Sequence, residues 1–231
     1  MTYQLLLFDL DNTLFNFNQA QDQALLEFLS QEGVPQQDIA AYIEYYIPLN
    51  QSLWNKLELG LIDRQQLISS RFALLFNHFG HQRDGVELAQ AYQKCMGRQG
   101  QLIEGARVFL DSCLKEGKRL FAISNGISNI QRARLAHGEL NLYFEEIFIS
   151  EEIGYVKPAK DFFDYVAKHI EGFNSKQALV IGDSLSADIQ GALNAGLDCV
   201  WFNRLNENKQ SHLPANYVVD NYNDLAKIIY K

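Results

Sequence analysis

Leu5 to Thr13, LLLFDLDNT, runs four apolar residues straight into two aspartates spaced one residue apart. Such an unbroken apolar run suits a strand covered on both faces of a parallel sheet, since a half-exposed strand would alternate apolar with polar residues. Asp9 and Asp11 then pose a problem, because aspartates are among the residues least often buried without a partner. If the strand's alternation carries through them, both side chains enter one pocket, where their charges repel.

The rest of the chain says what kind of sheet this strand joins. Short β-rich runs recur at Tyr3 to Phe8, Arg119 to Ser124, Glu146 to Ser150, Ala178 to Ile181, Cys199 to Phe202 and Tyr217 to Val219. Between the later runs lie helical patterns, Glu104 to Glu116, Ile127 to Ala136, Ala159 to Ile170 and Leu185 to Asn194, each long enough for a crossover between parallel strands. The expected fold class is α/β, a parallel sheet with helices on both faces. Residues 17–96 interrupt the alternation with helical periodicity and no convincing strand, over a length too great for a loop. They are expected to form an inserted, all-helical domain, with residues 1–16 and 97–231 forming the core. Thr13 to Phe17 is the expected exit and Gly97 to Gly100 the expected return.

Composition excludes several classes of function. The 231 residues are 47% hydrophobic, enough for one sizeable core with a smaller unit attached. A formal charge of −8 offers no basic footprint, so neither nucleic acid nor a charge-run partner is expected. Asp9 and Asp11 break the apolar start, which has no basic flank, so neither signal peptide nor membrane span is expected and the cytoplasm is the expected address. Cys95, Cys113 and Cys199 are scattered without C-x-x-C spacing, which reads as small core residues rather than disulfides or a zinc site.

In a sheet of this kind ligands bind outside the carboxyl ends of the strands, so chemistry belongs just after each apolar run. The sequence there reads DLDNT after the first strand, SNG at Ser124 to Gly126 after the second, KP at Lys157 and Pro158 downstream of the third, and GDSLSAD at Gly182 to Asp188 after the fourth. A hard divalent cation would relieve the repulsion between Asp9 and Asp11, with Asp183 supplying a further oxygen, and Mg²⁺ is the usual choice beside phosphate. A calcium loop of the EF-hand type does not fit, because the turn position that needs glycine is Leu14 and the terminal glutamate position is Ala20. Ser124, Asn125 and Gly126 sit where a strand hands over to a helix, a place suited to an anion. Alone, SNG reads as a turn or helix cap and Lys157 as a solvated loop residue. Their order along the chain gives them weight.

Asp9-x-Asp11-x-Thr13, then Ser124, then Lys157-Pro158, then Gly182-Asp183 with Asp188, together with a helical insert after the first motif, resembles the haloacid dehalogenase superfamily with a C1-type cap. That resemblance covers nearly the whole chain and implies a Rossmann-like core under an inserted helical C1 cap. It implies that Asp9 attacks phosphorus to form a phosphoaspartate, while Asp11 protonates the leaving oxygen and later activates water. It further implies Mg²⁺ on Asp9, the carbonyl of Asp11 and Asp183, with Asp188 in support, and phosphoryl oxygens held by Ser124 and Lys157. The second aspartate separates phosphatases and phosphomutases from the superfamily's dehalogenases and ion pumps, which are expected to lack it.

In the insert, Asn50 to Phe72, NQSLWNKLELGLIDRQQLISSRF, is similar to the cap of bacterial YjjG-type pyrimidine 5′-nucleotidases, as are TLFNF at Thr13 to Phe17 and SEEIGYVKPAKDFFDYV at Ser150 to Val166. The implied substrate is a small-molecule phosphate monoester, a nucleoside monophosphate. Sugar phosphates or phosphoglycolate, a phosphomutase, and a catalytically silent binding protein are the alternatives. Asn16 and Asn18 depart from the acidic residue often found after TLF in that family. Phe17, Tyr45, Tyr46 and Trp54 are candidates to stack on a base, each weighed against an ordinary place in a small aromatic core. Asn50 and Arg71 are candidates for base or sugar, weighed against an ordinary helix surface. His78 and His81 are spaced for a metal, yet Gly80 interrupts the helix and no carboxylates join them.

Overall fold

The computed structural model describes residues 3–204 and 214–230. Its centre is a six-stranded parallel sheet of β1 (Leu5–Phe8), β2 (Arg119–Ser124), β3 (Glu146–Ile149), β4 (Ala178–Gly182), β5 (Asp198–Phe202) and β6 (Tyr217–Val219), in the order β3-β2-β1-β4-β5-β6. The apolar run of β1 is explained by its neighbours: Leu6 and Phe8 enter one apolar cluster, Leu5 and Leu7 the other. Both faces of β1 are covered, so none of its positions had to be polar.

Four helices, α1 (Phe17–Gln31), α2 (Ile39–Glu58), α3 (Arg64–His78) and α4 (Gly85–Gly97), fill the stretch between β1 and β2. Side-chain caps start three of them: Asn16 on α1, Asp63 in a reciprocal pair with Gln66 on α3, and Asp84 on α4. Their shared core is aromatic, with Phe28, Tyr46, Phe72, Phe76 and Tyr92 in mutual contact. The chain leaves and returns side by side, for Asn16 N–H donates to the Gln101 carbonyl at 2.9 Å and Phe15 bridges to Leu102.

The remaining helices follow the alternation: α5 (Ala106–Lys115), α6 (Ser128–His137), α7 (Ser150–Ile153), α8 (Lys160–His169), α9 (Gln190–Ala195) and α10 (Tyr222–Ile229). α5 and α10 pack on the face holding Phe8, while α8 and α9 pack on the face holding Leu7. Expected and observed strands agree to within two residues. Leu185 to Asn194 is not one helix, however: a π-helical segment at Leu185–Ile189 precedes α9, with Ile189 N–H reaching back five residues to Ser184 at 3.1 Å. The wider turn carries Asp188 beneath Gly182, where a Cβ on the glycine would lie 2.3 Å from the carboxylate. α7 and α10 were not anticipated. All three cysteines are buried and free, one in each large apolar cluster.

Candidate active site

β1, β2 and β4 all end at the same edge of the sheet, and Asp9, Ser124 and Asp183 stand at or just beyond those ends. Asp9 is fixed by its own amide, which donates to the Ile181 carbonyl of β4 at 2.8 Å. Above this edge the helical insert closes over a cavity of about 720 Å³. Asp9, Asp11, Ser124, Lys157, Asp183 and Asp188 line it from the core, and Phe17, Gln21, Asn50, Trp54, Glu58 and Arg71 from the insert.

Lys157 is 1% exposed and spends all three donors: Nζ to Asp188 Oδ1 at 2.6 Å, to Asp9 Oδ1 at 2.8 Å and to the Ile123 carbonyl at 3.1 Å. Burial alone would lower its ammonium, but Asp188 and Asp9 outweigh burial and hold it above its ordinary value. Asn125 grips the lysine's backbone from both sides, donating to its carbonyl at 2.8 Å and accepting from its N–H at 2.9 Å. The Asn125 side chain is thereby occupied in placing Lys157.

Asp9 keeps Oδ2 buried and without a partner. Its carboxyl is pushed up to about 7, first by burial and then by Asp188 and Asp11, against the opposing pull of Lys157. Asp183 is likewise raised, by burial and by Asp9 and Asp188. Oxygens of Asp9, Asp183 and Asp188 lie within 4.8 Å of one another. One lysine against three carboxylates leaves the cluster short of positive charge, and all the free donors are hard oxygens. The group therefore fits Mg²⁺ on its own chemistry.

Asp11 does not follow strand alternation. β1 stops at Phe8, the backbone turns through Asn12 at φ 56°, and the Asp11 carboxylate swings toward α6. There Oδ2 accepts from Gln131 Nε2 at 2.6 Å and Oδ1 pairs with Arg134. The carboxylate thus lines the cavity outside the three-oxygen cluster. Gln131 Nε2 also donates to Ser124 Oγ at 3.0 Å, and so does the Gly126 N–H at 3.0 Å. With both N–H groups aimed at its oxygen, Ser124 has its hydroxyl proton left to offer the cavity. Gly126 is needed here, since a Cβ would lie 2.5 Å from Gln131 Nε2.

At the start of α6 two backbone donors are already engaged, since Gly126 N–H is held by Ser124 Oγ and Ser128 N–H donates to Glu151 at 2.6 Å. Asn50 and Arg71, weighed as helix-surface residues, are both buried in the cavity wall. Phe17 and Trp54 also reach the cavity, whereas Tyr46 is buried against Phe72 and Tyr45 stacks on His78 away from it. Sequence reasoning missed Gln131 and Arg134, and also two contacts that tie the insert to the core. Arg64 donates to the Asn125 and Gly126 carbonyls at 3.0 and 3.3 Å and to Ser150 Oγ at 2.5 Å, and Glu58 accepts from Ser186 at 2.8 Å.

A haloacid dehalogenase-like hydrolase family model matches residues 6–202. The chain belongs to that family. Among curated haloacid dehalogenase-like relatives, the pyrimidine 5′-nucleotidase PynA of Streptococcus pneumoniae is 45% identical, over all of this chain and 97% of its own length. The pyrimidine 5′-nucleotidase YjjG of Escherichia coli is 29% identical with both chains fully covered. The solved structure of the HAD-hydrolase YfnB of Bacillus subtilis, described as magnesium-bound and revealing interdomain movement, superposes with a TM-score of 0.92 at 33% identity, both chains fully covered. Haloacid dehalogenases of known structure at 16 to 17% identity share the fold.

Proposed function

We propose that this haloacid dehalogenase-like hydrolase is a Mg²⁺-dependent nucleoside 5′-monophosphatase with a preference for pyrimidines. Residues 17–96 act as its cap and residues 1–16 with 97–231 as its core. The observation that carries the reading is the buried, unpartnered Oδ2 of Asp9, standing at the strand end beneath the helical roof. A carboxylate oxygen so placed is a nucleophile with no other employment in the fold, and a covalent phosphoaspartate splits one hard displacement into two easier ones.

Lys157 orients that carboxylate through Oδ1 and leaves Oδ2 free to attack. Ser124 offers its hydroxyl proton to a phosphoryl oxygen. Asp11 serves as acid toward the leaving oxygen and as base toward water, and Gln131 and Arg134 hold it to one side of the line of attack. Asp9, Asp183 and the Asp11 carbonyl would hold Mg²⁺, with Asp188 in support. Bound there, the metal supplies positive charge to the transferring phosphoryl group. The cap excludes bulk water during transfer and moves to release product.

The similarity to the pneumococcal and Escherichia coli pyrimidine 5′-nucleotidases over the full chain, cap included, supports the substrate class. Steady-state kinetics on dUMP, dTMP, purine deoxynucleotides, hexose phosphates and phosphoglycolate tests it. The expected result is a higher kcat/KM for the pyrimidine monophosphates, with free phosphate as product. Hexose phosphates or phosphoglycolate as much better substrates would overturn the nucleotidase reading and leave the phosphatase reading standing.

A further inference from the structure

The roof of the cavity contains a cation with unmet hydrogen-bonding needs. Arg71 is 3% exposed, lies in the cavity wall, and has neither Nε nor Nη2 bonded to anything. Among the described residues no carboxylate forms an ion pair with it. Its guanidinium carbon sits 4.9 Å from the Phe72 ring centre and 5.3 Å from that of Tyr92. Close by, the buried Tyr46 donates its hydroxyl to Asn50 Oδ1 at 3.3 Å. The group is therefore locked in place while two of its donor positions stand idle. A buried donor without an acceptor costs about 1–3 kcal/mol, more when charged, so such a group belongs to a site completed by a ligand.

The surroundings say what that ligand presents. Guanidinium is donor-only and planar, so it calls for an acceptor in its own plane. The aromatic faces of Phe72 and Tyr92 already offset part of its charge, so what is missing is a hydrogen-bond acceptor more than an anion. With Oδ1 of Asn50 engaged by Tyr46, its amide nitrogen is the group it can offer to the same face. Trp54 and Phe17 supply flat apolar walls to the cavity. Together these suit a flat heterocycle bearing an exocyclic carbonyl oxygen.

We propose that Arg71 is the specificity-determining residue of the cap, donating Nε–H and Nη2–H to a ring carbonyl oxygen of the pyrimidine leaving group. Uracil, thymine and cytosine all carry such an oxygen and adenine has none, while guanine carries one only on a larger, two-ring base. The proposal rests on the nucleotidase reading and adds to it the group that is recognised and the residue that recognises it.

The test compares wild type with Arg71→Met, which keeps an apolar stem against Phe72 and Tyr92, and with Arg71→Lys, which keeps the charge but not the fork. Substrates are dUMP, dAMP, 2-deoxyribose 5-phosphate and p-nitrophenyl phosphate. Both variants are expected to lose about 30-fold or more in kcat/KM on dUMP and less than about threefold on the two substrates without a base, as for a lost hydrogen bond to a charged group. An equal loss on all four substrates would make Arg71 structural, and an unchanged dUMP rate would remove it from recognition. Either result overturns the proposal. If the variants do not fold, wild type alone still decides: of 2-thio- and 4-thio-dUMP, in which sulfur is the poorer acceptor, at least one should fall tenfold or more below dUMP, and no loss with either contradicts the assignment. Wild type hydrolysing 2-deoxyribose 5-phosphate as well as dUMP would instead count against the nucleotidase reading itself.

Discussion

Arg134, with no exposed surface, is ion-paired to Asp11, and that guanidinium is further held by the Gln99 carbonyl at 2.9 Å and by the face of Phe15. The two partners are unequal, because the Asp11 side chain keeps 30% of its surface while that of Arg134 keeps none. Removing the aspartate strands a buried cation, whereas removing the arginine leaves a carboxylate that water can reach. Asp11→Ala is therefore expected to cost about 3 kcal/mol or more of stability, and Arg134→Met less. Urea unfolding of both variants checks the order, and the reverse order would mean that Arg134 is anchored chiefly by its other contacts.

Replacing the nucleophile gives a separate expectation. Asp9→Asn should abolish turnover with the fold retained by circular dichroism, since only a carboxylate oxygen can form the phosphoaspartate. Asp11→Asn should lower kcat on an alkyl phosphate by about 10² to 10⁴, the usual weight of a general acid, and by much less on an activated aryl phosphate. Loss of equal size on both substrates would argue against the acid role.

Metal and pH should act on stability together. Asp9 is pushed up to about 7 and Asp183 is also raised, while in the unfolded chain both fall near the ordinary aspartate value of about 4. Between those values the folded state binds more protons than the unfolded state, so stability of the metal-free protein falls as the pH rises through that window. Mg²⁺ should oppose that loss, since it favours the charged carboxylates. Calorimetry in EDTA and in Mg²⁺ is expected to show a larger metal-induced rise in Tm at pH 7.5 than at pH 5. An equal rise at both would detach the metal from these two groups.

Lys157 holds Asp9 and Asp188 together, and Asp188 is 1% exposed. Lys157→Met should cut kcat/KM by about 100-fold or more and destabilise by about 3 kcal/mol or more, because two buried carboxylates lose their shared cation. The stability deficit should shrink at pH 5, below the raised value of about 7 at which the Asp9 carboxyl takes up its proton. Thermal unfolding at the two pH values measures it.

The Arg64 clasp concerns closure rather than chemistry. Arg64→Ala removes three hydrogen bonds from the insert to Asn125, Gly126 and Ser150. With the closed arrangement less populated, kcat/KM should fall several-fold on nucleotide and aryl phosphate alike, since both need the roof shut over Asp9. A loss confined to nucleotides would instead make Arg64 part of base recognition.

Part of this site is legible in the sequence alone. Strand ends are legible because an apolar run stopping at Asp9, Ser124 or Asp183 is a local pattern, and the fold class says where such ends gather. Gln131 and Arg134 leave a trace in the sequence as well. Ile127, Ile130, Gln131, Arg134 and Leu135 follow the spacing of a buried helical stripe, and two of those positions are polar. Polar side chains on a stripe meant for the core announce a buried network. Arg71 left less of a trace, because a cation in a helix that also carries Ser69, Ser70 and Asn77 reads as solvated until neighbouring helices are placed over it.

What the sequence determined by itself was set by short-range rules: the period of each apolar run, the caps at Asn16, Asp63 and Asp84, and the glycines at 126 and 182 where backbone comes close to a side chain. These fixed the parallel sheet, the helical insert and the order of the acidic and basic motifs along its edge. Only the tertiary structure decided which way Asp11 turns, that Lys157 stands between Asp9 and Asp188, and that Arg71 is buried in the cavity wall with two donors unpartnered. The reason is physical: burial, ion pairing and desolvation depend on groups more than a hundred residues apart in sequence, as Lys157 is from Asp9 and Arg134 from Asp11, and their balance is set by distances that no local pattern encodes.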